Sequence, residues 1–193
     1  ASELGLVGSE MCIRDSPNSV LEFWFYEIEP AQWWRKDPAF DAQLEQRFGQ
    51  LHDDVTRTGA LHWRDHATGR LAEVIVLDQF SRNLDRDDPR AFAWDAAALT
   101  LAEETIALAL DRQLSPQQRA FLYMPYMHSE CLAHQQRSLE LFAAIAETGN
   151  LDSAQRHFDV INTFGRFPHR NAVLNRISTA AEKDFLKQPG SRF

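Results

Sequence analysis

Three short stretches of this chain gather side chains that move protons or hold anions. The densest is Phe164-Gly-Arg-Phe-Pro-His-Arg-Asn171, where Arg166, His169, Arg170 and Asn171 crowd a break between helical segments, with His157 one helix earlier. An arginine fork suits a carboxylate or phosphate. If residues 170–177 are helical, their free N–H groups add to an anion-attracting site. The second stretch is Tyr123-Met-Pro-Tyr-Met-His-Ser-Glu130, followed by His134. Glu130 and His134 are four apart and share a helix face with Tyr126, while His128 points elsewhere. Carboxylate with imidazole is the material of general acid–base chemistry. The third, Leu77-Asp-Gln-Phe-Ser-Arg-Asn83, sets Asp78 four residues before Arg82 for pairing along one face and brings Arg82 and Asn83 to a helix end.

These clusters are expected to meet in one pocket. Arg82, Arg166 and Arg170 would hold an anionic group, and Asn83 and Asn171 would orient it. His128, His157 or His169 would move a proton, with Glu130 as partner. The expected partner is then a small anionic molecule. The alternative is a protein-interaction scaffold, in which the arginines tie loop carbonyls, the polar clusters are structural and a protein partner takes the ligand's place.

Other chemistries lack their motifs. There is no G-x-G-x-x-G, no G-x-x-x-x-G-K-[ST] and no G-x-S-x-G, so dinucleotide redox chemistry and phosphate-loop hydrolysis are disfavoured. The H-E-x-x-H signature is missing, and neither a metal site nor a cofactor is expected. A net charge of −8 supplies no basic face for a nucleic acid. The most apolar region, Ala91 to Leu110, is interrupted by Asp95, Glu103 and Glu104, so no membrane span is expected. Two cysteines, Cys12 and Cys131, in no metal spacing fit a reducing, cytoplasmic setting.

The elements that must position the clusters are helices. Asp37-Pro38, Asp88-Pro89 and Ser115-Pro116 each put a capping side chain before a proline at the first helical position. Ser19-x-x-Glu22 and Thr179-x-x-Glu182 fit capping boxes, and Gly59, Gly149 and Gly165 sit where helices close. Phe40, Leu44, Phe48 and Leu51 form a helical stripe, as do Leu132, Leu139 and Phe142, then Phe158, Ile161 and Phe164. The spacing predicts an all-α single domain over 17–193, with helices at about 20–27, 38–58, 70–82, 89–111, 116–146, 152–164 and 179–187, packed as antiparallel neighbours. Pro125 is expected to kink or split the fifth. Residues 1–16 resemble translated adaptor sequence and are expected to be a poorly packed, foreign leader.

From about Val20 to Phe193 the chain resembles the bacterial domain-of-unknown-function family 924. The resemblance rests on Leu21-Glu-Phe-Trp-Phe25, Asp37-Pro-Ala-Phe-Asp41, Leu77-Asp-Gln-Phe with Arg82-Asn83, Phe121-Leu-Tyr-Met-Pro125 with His128-Ser-Glu130, and Phe164 to Asn171. Ser81 stands where the family pattern has proline, and Asn175 where glycine is common. The resemblance implies an all-α fold similar to tetratricopeptide-repeat superhelices. It implies no activity.

Overall fold

The computed structural model describes residues 16–192, and among them every regular element is helical. The leader expected over residues 1–16, with Cys12, lies outside the described residues except for Ser16. Ser16 caps the first helix, α1 (Pro17–Glu22), by accepting from the Ser19 N–H. The Ser19–Glu22 box expected there is therefore displaced by one turn: Ser19 lies inside the helix.

Asp37 caps α2 (Pro38–Thr58) through the N–H groups of Ala39 and Phe40, and Gly59 closes it at φ 71°. Then come α3 (Ala67–Ile75), a π-helical turn (Val76–Phe80) and α4 (Ser81–Leu84), one continuous helical run. The helix expected over 89–111 is two pieces, a 3-10 turn (Pro89–Phe92) and α5 (Asp95–Ala107). The one expected over 116–146 is α6 (Pro116–His128) and α7 (Leu132–Ala143). Pro125 sits inside α6, and the break falls three residues beyond that proline's own turn. There the Gln135 side-chain amide donates to the carbonyls of Met127 and Ser129 (2.6 and 2.7 Å), satisfying groups that the ended helix leaves open. After α8 (Leu151–Phe164) a 3-10 turn (Pro168–Arg170) leads through non-helical turns to α9 (Ala180–Phe185).

In the first half α3 is central, with α1, α5 and α6 packed on it; in the second half successive helices lie on one another, α6 on α7 and α7 on α8. The main core is aromatic at its centre. Trp24 packs on Phe80 and Phe121, each at 5.7 Å between ring centroids, and Phe48 joins Phe23 to Phe80. The stripe Phe40, Leu44, Phe48 and Leu51 is buried as the period predicts. A second, smaller core holds Val160, Ile161 and Phe167, with Phe164 and Phe185 packed against it. Phe158 is only half-buried and Leu132 is exposed, so those two stripes are narrower than the sequence suggests. No described helix is long and apolar enough to cross a membrane.

Candidate functional site

The site starts from a helical stretch that is buried on every side, Leu71 to Ser81. A helix surrounded by protein carries its polar groups inside as well, and within the π-helical turn Asp78 and Gln79 are buried side by side. Asp78 is fully buried. Its carboxylate takes the Arg82 guanidinium at 2.9 Å, the His128 Nδ1 at 2.7 Å and the Gln79 amide. Burial would raise its pKa, but the Arg82 charge and the hydrogen bonds from His128 and Gln79 outweigh it and hold the carboxyl well below the usual range.

Arg82 also forks Asp95 at the first turn of α5, at 2.8 and 3.0 Å. Arg170 reaches the same Asp95 at 3.2 Å and donates to the His128 carbonyl at 2.9 Å. Its guanidinium lies between the rings of Phe92 and Phe167, at 4.5 and 4.7 Å, and its Nε–H has no hydrogen-bond partner among the described residues. Burial, then the neighbouring Arg82, pull Arg170 down to about 10, so it stays charged at neutral pH.

Three histidines surround this group. Burial, followed by the Arg82 charge, lowers His128 against the pull of Asp78, so the ring is neutral at pH 7. With Nδ1–H donated to Asp78, Nε2 keeps its lone pair. The His157 ring lies 6.2 Å from that of His128 and 5.5 Å from that of Phe167, with Nδ1 on the Ser153 carbonyl. His169 lies 5.6 Å from Phe167. Burial brings both His157 and His169 down to about 3.

A second network ties the turns after α8. Arg176 forks Glu130 at 2.7 and 2.9 Å and donates to Asn171 Oδ1. Asn171 passes on to Glu182, which Arg166 forks at 2.6 and 2.9 Å. Glu130 also accepts from the Phe167 N–H at 2.7 Å.

A cavity of about 470 Å³ opens against Phe92, Asp95, His128, Glu130, Arg170 and Leu174, with Ser129 and His134 on the same wall. Of the nine residues singled out from the sequence, His128, Glu130 and Arg170 line it. Arg82 stands behind Asp95, and His157 and His169 behind Phe167. Arg166 and Asn171 belong to the second network. Asn83 is spent locally, donating to the Gln79 carbonyl and accepting from Arg86.

Each of the three arginines assigned to a ligand also pairs with a carboxylate of the chain. Two expectations are corrected. Glu130 is not the proton partner of a histidine: Arg176 takes it, and Asp78 serves His128. Residues 170–177 are not a helix and add no helix-end charge, because Asn175 takes a left-handed φ of 54° and closes the turn. That conformation suits the glycine the resemblance places there. Reading the sequence missed Asp95 and Arg176, which no local spacing marks. For Asp78 the signal was present, an acid within a polar cluster, but its assignment stopped at Arg82.

A family model described as a bacterial protein of unknown function, DUF924, matches residues 20–190. A solved structure of a protein of unknown function from Agrobacterium tumefaciens superposes with a TM-score of 0.84 at 35% identity, over 89% of this chain and 96% of that one. No curated protein matches the chain.

Proposed function

The chain belongs to the DUF924 family of bacterial proteins of unknown function, and we propose that it binds a small anionic molecule in the cavity beside Arg170 and exchanges a proton with it through His128. The observation that carries this reading is the Asp78–His128 pair. A buried carboxylate fixes the tautomer of a neutral imidazole on the wall of a 470 Å³ cavity, which is how a general base is prepared. Arg170 supplies the charge. Its one carboxylate bond is long and shared with Arg82, so it is the least neutralised arginine of the group. Phe92 and Leu174 suit a ligand with an apolar side.

The test is the melting temperature of the full chain against small carboxylates, phosphates and nucleotides. A ligand that binds only the folded state raises it by mass action. The expected result is a rise with one anion class that disappears in Arg170→Gln and persists in Arg166→Ala. A rise that survives Arg170→Gln, or no rise with any anion, sinks this reading and favours a protein partner on the helical array.

A further inference from the structure

On the same wall, a second set of side chains is arranged for a different step. Ser129 follows α6, in the short bridge to α7. Its Oγ lies 2.8 Å from His134 Nδ1, and His134 Nε2 lies 3.7 Å from Glu103 on α5. The Glu103 carboxylate favours the tautomer with the proton on Nε2, which leaves Nδ1 to accept from the hydroxyl. Ser129 Oγ also accepts from the Cys131 N–H at 3.2 Å. That bond alone would be an ordinary serine turn before a helix. It also occupies one lone pair of the hydroxyl and thereby aims the O–H at the imidazole.

The surroundings hold this pair still. The Gln135 amide anchors the Ser129 carbonyl, and the Tyr126 ring meets the His134 ring edge-on at 6.1 Å. The backbone N–H of Glu130, the residue after Ser129, makes no hydrogen bond among the described residues. A donor at that position is where a nucleophilic serine commonly finds help for a developing oxyanion.

We propose that Ser129 is a nucleophile toward a small carboxylic ester held in this cavity, with His134 as its proton acceptor. The proposal rests on reading the cavity as a ligand site. Ser129 Oγ bonds to the acyl carbon while its proton passes to His134. The ester C–O bond breaks, and the leaving alcohol takes that proton. Water then attacks the acyl carbon, giving its proton through His134 to Ser129 as the Oγ–C bond breaks, and the free acid leaves. Glu103 touches no reacting atom and is a positioning residue.

The experiment is labelling of the full chain with diisopropyl fluorophosphate, read by intact mass and peptide mapping. One adduct on Ser129 is expected. His134→Gln should slow its formation by roughly 100-fold, the usual worth of a general base. Glu103→Gln should slow it less, with Glu103→Asp recovering part of the rate at unchanged melting temperature. No adduct, or an adduct only on a tyrosine or another serine, overturns the proposal. Because the wild-type protein is labelled, misfolding of a variant cannot mask the outcome. Failure here with the anion-induced rise intact removes the nucleophile and leaves the proton-exchange reading standing. Labelling without any anion-induced rise does the reverse.

Discussion

Asp78 accepts the Nδ1 proton of His128 at 2.7 Å from fifty residues earlier in the chain. The bond joins the π-helical turn to the end of α6 and leaves the His128 Nδ1–H dependent on one buried carboxylate. Asp78→Ala strands that donor and takes from Arg82 one of its two carboxylates, leaving Asp95, and breaking a buried pair in this way costs about 3–5 kcal/mol. Urea denaturation should show that loss. Nitrogen NMR of the wild type at pH 7 should show His128 neutral, with the proton on Nδ1. A proton on Nε2 would contradict the assigned orientation.

Acid should weaken the fold in two stages. His157 and His169 drop to about 3 on folding, from 6.5. Between those values the unfolded chain binds protons that the folded one refuses. Their contribution is therefore complete above 6.5 and is lost as pH falls toward 3, at up to about 1.4 kcal/mol per pH unit for each histidine. Glu182, held at about 2 chiefly by its bond to Arg166, adds a second loss as pH falls from 4.5. Denaturation at a series of pH values should show a shallower first stage in His157→Gln, which keeps a donor for the Ser153 carbonyl. An unchanged slope would remove His157 from this account.

Arg166→Ala separates binding from architecture. Arg166 forks Glu182 and donates to the Ile177 carbonyl at 2.9 Å, away from the cavity lining. The variant should melt earlier than the wild type, with the anion-induced rise undiminished. Loss of that rise at an unchanged melting point would restore Arg166 to the ligand.

Gly69→Ala tests the packing of α3. In an open helix this change stabilises by about 1 kcal/mol. Here a Cβ would stand 1.9 Å from the Trp63 carbonyl oxygen, so backbone must move. Overpacking of this kind costs about 1–3 kcal/mol or more, and the sign reverses. A more stable variant by thermal melting would refute the contact.

Helix starts were legible because caps are local. Asp37 before Pro38, Ser115 before Pro116 and the Thr179–Glu182 box all act where the sequence places them. The polar partners were not legible because they are distant. Arg176 reaches Glu130 across 46 residues and Arg170 reaches Asp95 across 75. Spacing along one helix could offer Glu130 only its neighbour His134. Pro125 misplaced the break for a related reason: the side chain that caps the end of α6, Gln135, comes from the next helix.

The π-helical turn makes chain length a chemical variable. An α-helix advances each residue by about 100° and 1.5 Å. A deletion of one residue between Val76 and Phe80 would restore the ordinary winding and leave Arg82 near its place, while the residues kept within that stretch would turn to other faces of the helix. Among relatives of this protein, a gap of one residue at this place would mark a change of site, even where all the polar residues on either side are retained.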